Sequence, residues 1–191
     1  MGLGIEKQAG DFLPWVKFNG KSGRWSTKID GIEQEIGNPT FIADFDNIQT
    51  GWIEFGAPGM PPVWTPHASL TNKTPRPNEK SKEGFKVKLL SKSYFGGVVE
   101  MMSNSMHLTS AISEMYDKYE SELPSNPGKL PVIKCVGIET MKDKMGTNYK
   151  PKFALEKWVD RPVELGVGSE HVQQAKPAPA PQAVANNVSE F

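Results

Sequence analysis

Thiols are almost missing from this 191-residue chain: Cys135 is its one cysteine, so no internal disulfide can form. Histidine is nearly as scarce, with His67, His107 and His171 far apart, and these four residues match no zinc-site spacing. No run approaches the ~18 apolar residues of a bilayer span, and the first ten residues lack the basic-then-apolar order of a signal peptide. These gaps predict a reducing, cytoplasmic setting, the host cytoplasm if the protein is viral, and no membrane partner. Catalytic signatures are missing as well. There is no G-x-S-x-G elbow, no phosphate-binding GKS or GKT loop, and no H-E-x-x-H or zinc-deaminase pattern. The chain therefore reads as non-catalytic, with no cofactor and no metal. Cys135 lies in an apolar stretch and reads as a small buried hydrophobe.

An excess of charge of one sign is also lacking, since 22 Lys and Arg balance 22 Asp and Glu. The balance hides blocks. Residues 17–28 carry only bases, Lys17, Lys21, Arg24 and Lys28, and residues 73–92 carry seven bases against Glu79 and Glu83. Residues 30–64 carry only acids: Asp30, Glu33, Glu35, Asp44, Asp46 and Glu54. A phosphate backbone responds to local potential rather than to net charge, so the blocks keep a polyanionic partner in play. Taken singly, each block is also what an ordinary solvated face looks like.

Periodicity supplies the elements. Residues 12–18 (FLPWVKF) and 24–28 (RWSTK) read as strands around an Asn19-Gly20 turn. Residues 40–48 and 51–55 alternate as adjacent strands, with Phe41, Ala43 and Phe45 on one face. Residues 56–83 read as a long loop. Residues 85–91 alternate Phe85, Val87 and Leu89 with Lys86 and Lys88, a strand with one core face and one basic face. Residues 104–123 form the one convincing helix, stopped by Pro124. Residues 130–140 and 149–159 read as a strand pair joined by a basic loop, 141–148. From 166 onward, three prolines, much Ala and Asn and no periodicity predict a disordered tail.

This order predicts a mainly β protein, a five-stranded Greek-key barrel of the oligonucleotide/oligosaccharide-binding (OB) type with one amphipathic helix and an extra N-terminal hairpin, over residues 1–165, followed by the tail, 166–191. A generic α+β sandwich would use the same elements.

Binding a single nucleic-acid strand takes cations for the phosphates and ring faces for the bases. Three segments supply both: Trp15, Lys17, Phe18, Lys21, Arg24, Trp25 and Lys28; Lys86, Lys88, Lys92, Tyr94 and Phe95; Lys142, Lys144, Tyr149, Lys150 and Lys152. The competing use of each ring is core packing, and Trp52, Trp64 and Trp158 read as core or rim. Asp44 and Asp46, with Glu54 on the next strand, offer the alternative of a metal-dependent nuclease acting on recombination intermediates. A virion structural or adaptor protein is the third reading.

The chain ends Val188-Ser189-Glu190-Phe191, one ring beside two carboxylates on a tether, suited to capture by a partner protein. With this ending and the stretch NYKPKFALEKWVDRP at 148–162, the chain resembles the bacteriophage single-stranded-DNA-binding proteins. That resemblance implies an OB barrel that coats single-stranded DNA during replication, recombination or repair, and a tail that recruits replication or recombination proteins through Glu190 and Phe191. The family's tail is strongly acidic, whereas here Glu170 and Glu190 stand against Lys176.

Overall fold

The structure, a computed structural model, describes residues 13–168. Among these residues there are ten strands, several with alternating apolar and polar side chains: β1 (Trp15–Asn19), β2 (Arg24–Ile29), β3 (Ile32–Ile36), β4 (Thr40–Ala43), β5 (Gln49–Glu54), β6 (Val63–Pro66), β7 (Lys82–Ser91), β8 (Gly97–Ser103), β9 (Lys129–Asp143) and β10 (Gly146–Asp160). A single turn, α1 (Lys92–Phe95), and one long helix, α2 (Met106–Glu122), complete them. The strands form one sheet in the order β10-β9-β4-β7-β8-β1-β2-β3, with β5 pairing β7 and carrying β6. All pairs are antiparallel except β1 with β8.

The expectation of a mainly β fold with one helix and an N-terminal hairpin holds in this coarse form, but the sheet has ten strands and is an open, curled half-barrel. Its curl brings the β1–β2 turn back to β10, where the Tyr149 N–H donates to the Gly20 carbonyl at 2.8 Å. Three strands were not expected. β3 follows a two-residue turn at Asp30-Gly31, both with positive φ (50° and 79°), the geometry in which Asp-Gly favours a hairpin. β6 lies within the expected loop 56–83, and β8 follows the αL glycine Gly96 that ends α1. The expected strand 40–48 stops at Ala43 and gives way to a 3-10 turn at Phe45–Asn47. The loop 141–148 is mostly ladder, with Gly146 opposite Asp143.

Inside the curl the core combines Val16, Phe18, Trp25, Phe41, Phe85, Val87, Leu89, Val99, Met101 and Ile133 from the strands with Leu108, Ile112 and Tyr119 of α2. The helix starts at Ser105, whose Oγ accepts from the Leu108 N–H, satisfying one of the orphan donors of the first turn. Its apolar stripe covers the inner face of the sheet, and its acids, Glu114, Asp117 and Glu120, are exposed. Cys135 is buried in the same core, as expected, and burial pushes its thiol up. Among the described residues no helix is long and apolar enough to cross a membrane.

Trp25 is 1% exposed, between Phe18 at 5.0 Å and Phe153 at 6.1 Å between ring centroids. Trp25→Ala is expected to cost about 3–5 kcal/mol in urea unfolding, against under about 0.5 kcal/mol for the exposed Lys28→Ala.

Candidate nucleic-acid interface

Strand periodicity sends Phe85, Val87 and Leu89 of β7 inward and therefore Lys82, Lys86 and Lys88 outward. Register carries this face across the sheet. Lys86 lies opposite Met102 and Lys88 opposite Glu100 on β8; Glu100 lies beside Trp15 on β1; Lys17 lies opposite Ser26 on β2. Because Trp25 and Thr27 point inward, Arg24 and Lys28 point outward on this same face. Pairing thus gathers Lys17, Arg24, Lys28, Lys86 and Lys88, from two of the three expected segments, around a partly exposed Trp15 whose ring has the Lys17 ammonium 4.6 Å from its centroid.

Several expected members do not join them. Phe18, Trp25 and Phe95 are buried in the core, so they cannot stack bases. Period two explains the first two: once Trp15 and Lys17 face out, Phe18 and Trp25 must face in. Tyr94 and Tyr149 pack against the same core, and Gly23 lies against the Tyr149 ring and Ile138. Gly23, at φ 69°, would place a side chain about 3.0 Å from that ring. Lys92 sits 3.6 Å from Glu164 in the C-terminal segment. Lys150 turns to α2, donating to Ser110 and Glu114, and it holds the Glu114 carboxyl below the usual range. Lys21, Lys142, Lys144 and Lys152 are exposed, with Lys21 at the β1–β2 turn, Lys142 and Lys144 at the β9–β10 tip and Lys152 further along β10. The β1–β2 turn meets β10 at Tyr149, three residues back from the end of the β9–β10 ladder. Glu190 and Phe191 lie outside the described residues.

Trp64 belongs to the outer face, although the sequence reading placed it in the core or rim. It pairs with Ile53 and rests over Gly51, where a Cβ would come within 2.8 Å of its ring, and the Lys86 ammonium lies 5.2 Å from its centroid. Lys82, opposite Ile53, and Met102 extend the same surface. The tetrad Val-Trp-Thr-Pro between proline-rich stretches was the signal for β6, masked by those prolines. Trp52, on the other face of β5, packs against the segment after β6 instead, edge-on to His67 and with its indole N–H donating to the Thr74 carbonyl at 2.7 Å.

The acidic trio is dispersed. Asp44 is 0% exposed and receives both terminal nitrogens of Arg161 at 2.9 Å; Arg161 also reaches Asp46 at 3.1 Å. The Tyr119 hydroxyl donates to the other oxygen of Asp46, and the Trp158 ring stacks on Tyr119 at 5.6 Å. Glu54 lies elsewhere and accepts from Asn78. Asp44 and Asp46 therefore neutralise a buried guanidinium, and among the described residues no group of three or more His, Cys, Asp or Glu gathers as metal ligands. Arg161 further donates to the carbonyls of Leu165, Gly166 and Val167, so anchored chain continues past residue 165, where the tail was expected to begin. Leu165 packs on Leu90, covering the far part of the outer face and leaving the Lys86, Lys88 and Trp15 region open.

Comparison with protein-family models, with curated proteins and with solved structures finds no match for this chain.

Removing Arg161 leaves a buried carboxylate unpaired, so Arg161→Met is expected to cost about 3–5 kcal/mol in urea unfolding. Burial, with Glu120 and Asp46 nearby, pushes the Tyr116 hydroxyl up to about 12, and burial with the Asp46 bond raises Tyr119 as well. Both are raised above the unfolded value of about 10, so the native state keeps protons that the unfolded chain releases. This stability is fully present below about pH 10 and is lost as the pH rises toward 12. Urea midpoints should fall through that window, and the fall should be shallower for Tyr116→Phe.

Proposed function

We propose that the outer face of the curled sheet binds single-stranded DNA with low sequence preference, and that the protein coats or sequesters such strands in phage DNA replication, recombination or repair. The observation that carries this reading is the shared face: cations from β1, β2 and β7 and the rings of Trp15 and Trp64 lie on one side of the sheet in fixed register. Lysines act as point charges on phosphates, and indole faces accept any base, so the set favours strands over particular sequences. Each ring already carries a lysine, which a stacked base can displace toward a phosphate.

Topology supports the same reading. The pairings β4/β5 with β7, β7 with β8, β4 with β9 and β9 with β10, with α2 between β8 and β9, support an OB-like order in a sheet that does not close. In this reading the β1–β2 hairpin sits beside the third barrel strand, β8, where closure onto β10 would otherwise occur. Barrels of this type bind oligonucleotides across the second and third strands and the loops after the first and fourth. Here those strands are β7 and β8, the first loop carries Trp64, and the fourth carries Lys144, with Lys142 at the end of β9 beside it. The nuclease reading finds no support in the paired Asp44 and Asp46.

Titration of fluorescent oligo-dT at several salt concentrations tests the proposal. Binding should weaken with salt, and Lys86→Ala with Lys88→Ala should reduce the slope of log affinity against log salt by about 1.4. Trp15→Ala and Trp64→Ala should each weaken binding by about 1–3 kcal/mol. Absence of binding, or a preference for duplex, would reject the proposal.

A further inference from the structure

β3 is an unusual strand for a folded domain, because it buries almost nothing. Its residues Ile32, Glu33, Gln34 and Glu35 are all exposed, Ile32 at 70%, and among the described residues it pairs only with β2. Only Ile36, at its end opposite Trp25, packs against the core, so hydrophobic burial does not account for the stretch from Ile32 to Glu35. What β3 does supply is charge at a chosen place. The Asp30-Gly31 turn sets the register Lys28 opposite Glu33 and Ser26 opposite Glu35, which puts both carboxylates on the outer face. There Glu33 lies 3.2 Å from the Lys17 ammonium and accepts from the Ser26 hydroxyl, and Glu35 accepts from Arg24 at 2.9 Å. Lys17 and Ser26 hold the Glu33 carboxyl below its usual range, so it stays charged at neutral pH.

Two carboxylates, two residues apart on an extended strand, are spaced by about 6.6 Å, close to the repeat of phosphates along an extended nucleic-acid strand. All four partners are more than half exposed, so each pair is exchangeable. We propose that β3 is a built-in phosphate mimic: Glu33 and Glu35 occupy Lys17 and Arg24 in the free protein, and a single nucleic-acid strand binds by displacing them. This rests on the reading of the outer face as a nucleic-acid site and adds to it a reason for an acidic edge strand beside basic ones. Exchange lowers affinity, because each phosphate must replace a carboxylate already in place, and it makes salt dependence shallower than the number of cations implies, since a masked cation has few counterions to release.

The test compares wild type with Glu33→Gln plus Glu35→Gln in titrations of fluorescent oligo-dT over a series of potassium chloride concentrations. These substitutions keep size and hydrogen-bonding capacity at exposed positions, and thermal melting checks that the fold is retained. The double variant should bind about tenfold more tightly at low salt, with a slope steeper by about 1.4, and Glu33→Gln alone should show about half that change in slope. Asp117→Asn plus Glu120→Gln removes the same formal charge from α2 and should leave both quantities unchanged. If the β3 variant matches wild type in affinity and slope, or if the α2 variant gains as much, the mimic is rejected while the binding face stands. If wild type and variants all fail to bind oligo-dT, the nucleic-acid reading falls and the mimic with it.

Discussion

The candidate interface depends on one short joint, the parallel ladder that sets Trp15 opposite Glu100 and Val16 opposite Met101. The joint is tightened by the Glu100 N–H donating to the Pro14 carbonyl and by the buried Thr27 hydroxyl donating to the Trp15 carbonyl. Side-chain direction in a strand has a period of two, so a slip of one residue would turn Trp15 and Lys17 inward and expel Val16 and Phe18. Burial of Val16, Phe18 and Trp25 makes that slip costly, at roughly 1.5–3 kcal/mol for each large side chain returned to water. The same rings that leave the candidate site by entering the core are therefore what hold the remaining members on the outer face.

How much of this could be read from the sequence follows from which forces are local. The alternation of residues 85–91, the helix at 104–123 and the hairpin around Asn19-Gly20 depend on neighbours a few residues away, and they were legible. Lys86 and Lys88 were correctly placed on a basic face for that reason. The rings were harder, because a tryptophan near a base looks the same whether it points in or out until the strand's parity is known. Trp15 stands two residues before Lys17 and Trp25 directly after Arg24, yet their hairpin gives them opposite faces. Trp64 was obscured by the prolines around it, and β8 by the glycine pair that turns the chain into it. The destination of Lys150 depends on a helix 36 residues earlier, and that of Asp44 on an arginine 117 residues later. No spacing rule reaches that far.

Arg161 shows how an apparent active-site signal can be structural. Carboxylates two apart beside an extended strand suit a divalent cation, but a guanidinium satisfies the same oxygens with a fixed fork of donors and needs no exchange with solvent. Here that fork ties the β4–β5 connection to the segment after β10, and through Asp46 and Tyr119 to α2. The cluster also seats Leu165 on Leu90, which sets where the open part of the outer face ends.

A formal charge of zero does not count against a polyanionic partner in this arrangement. The exposed acids of α2, Glu114, Asp117 and Glu120, lie on the helix that covers the inner face, whereas Lys17, Lys28, Lys82, Lys86 and Lys88 lie on the outer face, with sheet and helix between. Layers pack about 10 Å apart, already beyond the screening length of about 8 Å at physiological ionic strength, so a strand at the outer face experiences its lysines with little contribution from the helix. Among the described residues the carboxylates on this part of the same face are Glu33, Glu35 and Glu100. The balance that governs a polyanion is therefore struck between adjacent strands of one sheet, and the sum over the chain does not enter it.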